Sequence, residues 1–215
     1  MRLKKCWSTV LCNIFIACCL SIEQDSLAMR VVVISRSFIW RKTMGESNQK
    51  SKHYLEMEDD VIQEPIFTRI QDKWPDDLSE SEYVAKMNPG DRMIYLTFIL
   101  EGQVMNTGFN GWFFSYKDEF RDEILAAYRL IKADRVLKIV EDAYSIFDRA
   151  KEVFWRAGGR YDASETFEEA WGAFTDTRKV IDYSALDEAL VEAYDELCAA
   201  RAAYIREHAE EFFIP

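Results

Sequence analysis

Between Phe120 and Phe154 the apolar residues repeat with the period of a helix, and nothing after residue 50 alternates as a strand would. Phe120, Ile124, Tyr128 and Ile131 are spaced four, four and three residues apart. Val136, Ile139, Val140, Ala143, Ile146, Phe147, Ala150 and Phe154 carry the stripe onward. This spacing gathers the apolar side chains on one side of a cylinder, and that side must be covered by other helices. Ile62, Ile66 and Ile70 recur every four residues, with Pro65 bending or ending that stretch. Met93, Ile94, Leu96, Phe98, Ile99 and Leu100 make a segment apolar nearly all round, as a helix at the centre of a bundle would be. Phe167, Trp171 and Phe174, then Leu186, Leu190, Tyr194, Leu197, Tyr204 and Ile205, supply further faces. There is no internal repeat at a fixed period. The expected fold is all-α, an irregular bundle of about six or seven helices.

Local signals set the expected boundaries. Ser79 with Glu82 has the form of a capping box, and Asn88-Pro89 marks another start with proline in the first turn. Gly158-Gly159 is expected to end the helix that carries Phe154, Asp162 with Glu165 to cap the next, and Ser184 to cap one long last helix. The segment Phe98–Phe114 reads FILEGQVMNTGFNGWFF. Its spacing predicts a helix to about Asn106 with Gly108 as the left-handed residue behind it. Val104 and Phe109 would then close a Schellman-type cap. Asn110 would cap a short following helix that turns Trp112, Phe113 and Phe114 into the core.

Charge and cysteine divide the chain into a leader and a body. The whole carries a formal charge of −11, but residues 1–50 hold eight basic and three acidic residues, while residues 51–215 hold 19 and 35. Met1–Lys5 is basic and Trp7–Ile22 mostly apolar, the form of a secretory signal, with Ser26-Leu27-Ala28 as a cleavage site. Met29, Met44 and Met57 offer the other reading, a start assigned too early. Residues 1–28 are therefore expected to be a signal-like or dispensable leader, residues 29–50 a linker, and residues 51–215 an acidic helical domain. Four of the five cysteines lie in the first twenty residues, so Cys198 in the body has no intramolecular partner there and no disulfide scaffold is expected.

The net charge of the body argues against direct binding to nucleic acid, which needs Lys and Arg to neutralise phosphates. HExxH, GxSxG, P-loop and Glu-x-x-His patterns are missing, and no cofactor, metal site or catalytic residue is expected. Cys198 reads as a small packed residue and His208 as an end-of-helix residue.

The segment from Phe98 to Phe114 resembles the DNA mimic protein 19-like family in Val104, Asn106, Gly108, Phe109, Trp112 and Phe113. It departs at Gln103, Thr107 and Gly111, where that family often has Glu, Gly and Gln. The resemblance continues through Ala127–Phe147 and Tyr183–Phe213, about residues 84–213 altogether. It implies an all-α, often dimeric bacterial protein whose named member displays acids arranged like DNA phosphates and sequesters a DNA-binding transcription regulator. A cytoplasmic location follows from that activity; a working signal at residues 1–28 would imply export.

The carboxylates that suit such a role recur at four-residue steps. Glu188, Glu192 and Glu196 form one row, with no Lys or Arg placed at four-residue spacing to offset it. Asp118 with Asp122 and Glu119 with Glu123 form two more, with Lys117 and Arg121 close by. Neighbours at this spacing lie about 5–6 Å apart on a helix and repel one another, so a sequence tuned for helix stability alone would interleave Lys. These seven acids are the candidate contacts to a basic protein surface. Two other readings stay open: an interaction or immunity-type module working through an apolar and aromatic surface, and a carboxylate metalloenzyme.

Overall fold

Three helix starts in this chain are built from local polar chemistry, and two of them lie where the sequence places them. In the computed structural model, which describes residues 55–212, Ser79 accepts the Glu82 amide while Glu82 reaches back to the Ser79 amide, a complete capping box. Asn88 accepts the Asp91 amide at 2.8 Å, with Pro89 in the first turn. Nine helices follow one another among the described residues, with no strand: α1 Glu64–Asp72, α2 Glu80–Lys86, α3 Pro89–Tyr116, α4 Arg121–Leu130, α5 Asp134–Asp162, α6 Phe167–Val180, α7 Ser184–Glu192, α8 Tyr194–Glu207 and α9 Ala209–Phe212. The fold is all-α, as expected. The count exceeds six or seven because Ala193 divides the last long helix and the four-residue α9 follows it. The expected leader (1–28) and linker (29–50) lie outside the described residues.

The apolar helix α3 is central, packing against α1, α4, α5, α6, α7 and α9. It is also sharply bent. In a straight helix Tyr95 and Tyr116 would stand roughly 30 Å apart at 1.5 Å per residue, yet both hydroxyls donate to the same oxygen of Glu80, at 2.7 and 3.4 Å. The bend is Gly108, with φ 72° and ψ 177°. The positive φ agrees with the expected left-handed glycine, but ψ lies far from the helical value, so the helix turns and resumes rather than ending in a Schellman cap. Asn110 does not cap the resumed segment. Its amide nitrogen donates to the Ile181 carbonyl at 3.1 Å, and the cap is Asp187, whose carboxylate accepts the Phe109 amide at 2.8 Å.

Past the bend, Phe109, Trp112 and Phe113 are fully buried. Phe113 stacks on Phe147 at 4.6 Å between centroids and meets Tyr144 edge-on at 5.1 Å, geometries that add to the burial of the rings. The α5 stripe lies inward as its spacing predicts, from Val136 to Phe154, with Ile146 and Ala150 half-buried.

Three other expected boundaries are displaced. Gly158-Gly159 lies inside α5, which continues to Asp162. The glycines cost helix stability, about 1 kcal/mol each, but Ala157 is buried and Tyr161 packs edge-on against Phe114 at 5.4 Å, which holds the last turn. The capping box before Phe167 is Thr166 with Glu169, since Asp162 is still helical. Ser184 is the first residue of α7 rather than its cap, and its amide donates to Asp182 at 2.9 Å.

One ion pair is buried in this apolar interior. Arg201 of α8, wholly inaccessible, donates to Glu101 of α3 at 2.5 Å and to the Gln63 side chain ahead of α1. Burial acts against the charge on Arg201, and Glu101 beside it more than offsets this, so its pKa stays raised. Near the end of α8, Arg206 donates to the Leu55 and Met57 carbonyls and to Asp59, fastening the first described residues.

Candidate acidic interface

The corner between α3 and α4 concentrates exposed carboxylates. Asp118 and Glu119 lie in the turn, and Asp122 and Glu123 in the first turn of α4; all four are exposed. Acids here are favoured by the unpaired amides at a helix start, so this placement has a local cause. The four-residue steps do not make one helical face, because α4 begins only at Arg121.

The two cations of this segment make their direct contacts with α5. Lys117, with φ 53°, sends its ammonium over the Trp155 ring of α5 at 5.1 Å. Arg121 makes a two-pronged pair with Asp148 of α5, both contacts at 2.8 Å, and lies over the Tyr144 ring. Among the described residues Asp118, Asp122 and Glu123 take part in no ion pair. Glu119 accepts the Ser81 hydroxyl from α2.

Below this surface Glu80 adds a further carboxylate. Burial pushes its pKa up, the Tyr95 and Tyr116 hydroxyls pull it partly back, and Glu119 raises it again. The Ser79–Glu82 box signals the start of α2 but not that Glu80 turns toward two tyrosines, so sequence reasoning missed it.

The row Glu188, Glu192 and Glu196 is arranged otherwise. Arg135, at the start of α5, donates to Glu192 at 3.1 Å and to Glu196 at 2.9 Å. The expectation of a row with no offsetting cation is corrected here: the cation comes from 57 and 61 residues away rather than from the next helical turn. The row is also interrupted at Ala193, so Glu196 belongs to a different helix from Glu188 and Glu192. Only Glu188 of the three is outside any ion pair among the described residues.

The turn-motif residues are placed differently from one another. Val104, Phe109, Trp112 and Phe113 are core, Gly108 makes the bend, and Asn106 is exposed. The partner of the bend, Asp187, had no signal in the sequence. Burial raises its pKa, while the Phe109 amide and then Arg178 lower it.

Other reactive groups are placed plainly. Cys198 is buried, and burial pushes its thiol up to about 11, far from the thiolate a nucleophile needs. His208 closes α8 and stacks on Tyr204 at 4.1 Å. Among the described residues no group of three or more His, Cys, Asp or Glu is placed to hold a metal ion, and no helix is long and apolar enough to cross a membrane.

Comparison with known proteins agrees with the resemblance in the turn and the later helices. No curated protein and no solved structure matches the chain. The family described as DMP19-like protein matches residues 85–208, more than half of the chain and nearly all of the helical body from α2 to the end of α8. The chain belongs to the DMP19-like protein family.

Proposed function

We propose that this chain is an acidic binding protein without catalytic activity, which engages the basic face of a DNA-binding regulator by offering carboxylates where that face holds phosphates. The observation that carries the reading is the α3–α4 corner, where Asp118, Asp122 and Glu123 stand exposed and outside any ion pair among the described residues, while Lys117 and Arg121 are held against α5. Family membership supports it. A partner's Lys and Arg pair with these exposed carboxylates, which suits the corner to a cationic surface. Glu188, Glu192 and Glu196 are further proposed contacts but contribute less, because Arg135 already offsets two of them. This activity requires a cytoplasmic protein.

The test is capture on the immobilised full chain from its source cells at low salt, followed by competition. The expected partner is a DNA-binding protein that elutes as salt rises, since exposed charges are screened, and that loses its DNA when the chain is added. Asp122→Lys with Glu123→Lys weakens the competition strongly; Glu192→Lys with Glu196→Lys weakens it less. Capture that ignores both salt and the corner reversal refutes the reading and favours contact through apolar groups, of which Trp155 and Phe167 are the largest exposed.

A further inference from the structure

The acidic corner continues into an open groove of about 420 Å³ between the start of α3 and the length of α4. Its lining is mostly apolar: Pro89 and Met93 on one side, Ala126 and Leu130 on the other. Leu130 is 41% exposed, one of few large apolar side chains so placed among the described residues. Along α4 the order is Asp122, Ala126, Leu130, one helical turn apart each time, so a carboxylate is followed by two apolar positions in a single row. Arg92 borders the groove but does not neutralise its acids: its guanidinium donates to the carbonyls of Val84, Ala85 and Met87, each at 3.0 Å, closing the end of α2.

We propose that this groove receives a basic amphipathic helix of the partner protein, with Lys or Arg set against Asp122 and Glu123 and two aliphatic side chains, one turn apart, lying along Ala126 and Leu130. The proposal rests on the acidic-binding reading and adds an apolar component to it. Charge and shape fix the occupant. Among the described residues that line it the rim holds two acids and one cation, Arg92, which is committed to backbone carbonyls, so a neutral or acidic segment would leave the carboxylates unpaired. The groove is an open trough flanked by two helices, the shape that a third helix fills by laying its side chains between theirs. A purely electrostatic phosphate substitute would have no use for such a trough. Combining the two lets the protein select among basic surfaces, because only one with aliphatic residues at the matching step fills it.

The experiment uses the full chain and two helical probe peptides. The first carries Lys with two Leu four residues apart on one face; its twin has Ala in place of each Leu. At low salt the Leu peptide is expected to bind at least about tenfold tighter than its twin, the gain from removing aliphatic surface from water. Ala126→Gln with Leu130→Gln, both exposed and helix-compatible, should erase that advantage and leave the helical circular dichroism unchanged. Equal affinity of the two peptides overturns the groove while the acidic reading stands. A Leu advantage that survives the double substitution also overturns it. If neither peptide binds, or if Asp122→Lys with Glu123→Lys leaves both affinities unchanged, the groove and the acidic corner fall together.

Discussion

Replacing Gly108 by alanine should be among the most damaging single-methyl additions in this protein. Two costs combine. The backbone at φ 72° and ψ 177° lies in a region that essentially only glycine enters, a strain of about 1–3 kcal/mol for another residue. The added Cβ would also sit 2.5 Å from one oxygen of Asp187 and 3.1 Å from its carboxyl carbon. That carboxylate cannot move freely, because its other oxygen accepts the Phe109 amide at 2.8 Å and caps the resumed helix. Moving it aside gives up a hydrogen bond to a charged group, about 1.5–3 kcal/mol. The expected loss is about 3–5 kcal/mol, a large part of the roughly 5–15 kcal/mol that separates folded from unfolded in a domain. Urea unfolding followed by circular dichroism reads it as a lower midpoint at unchanged slope. Asp187→Ala alone should cost about 1–2 kcal/mol as the loss of a cap. The double substitution removes the collision, so it should cost less than the two single losses added together. A loss below about 1 kcal/mol for Gly108→Ala, or strict additivity, refutes the account of the bend.

Three further outcomes follow from the same structure. Arg201→Met leaves Glu101 charged and unpaired in the core and should cost about 3–5 kcal/mol, whereas Arg201→Met with Glu101→Leu should recover most of it in the same unfolding assay. Glu80 has a raised pKa in the folded chain, so the folded state binds its proton more tightly than the unfolded one; ionised Glu80 lowers stability at neutral pH, and stability returns as pH falls through the folded value. Glu80→Gln should therefore stabilise the protein at pH 7, roughly the point where an ordinary carboxylate is fully ionised, and unfolding midpoints should show that gain shrinking as the solution is acidified. A Cβ at Gly111 would lie 1.8 Å from the Thr107 hydroxyl oxygen, so Gly111→Gln alone should destabilise by about 1–3 kcal/mol as overpacking, and Thr107→Gly in the same chain should restore much of the loss, measured by thermal melting.

That last pair bears on two of the three departures from the resemblance noted in the turn, at Thr107 and Gly111. The resemblance implies glycine and glutamine where this chain has Thr107 and Gly111. The two positions compete for one space beside the bend, so a side chain at one excludes a side chain at the other.

Much of the architecture was legible because helical periodicity and capping are local. The stripe from Phe120 to Phe154, the box at Ser79, the start at Asn88-Pro89 and the glycine at the bend depend on neighbours within four or five residues. The errors arose where a distant contact outweighed a local preference. Gly158-Gly159 reads as a stop, but Tyr161 against Phe114 carries α5 past it. Asn110 reads as a cap, but Asp187 reaches the bend from 78 residues beyond Phe109 and takes that place. The functional surface divides in the same way. That the body is acidic follows from composition alone. Which acids remain available does not, because Arg135 reaches Glu192 and Glu196 from another helix, whereas Arg121 is drawn off to Asp148 and leaves Asp122 and Glu123 outside any ion pair among the described residues. Periodicity tells a helix which side to bury; only the docking of one helix on another decides which charges meet, since Coulomb attraction depends on distance in space and not along the chain.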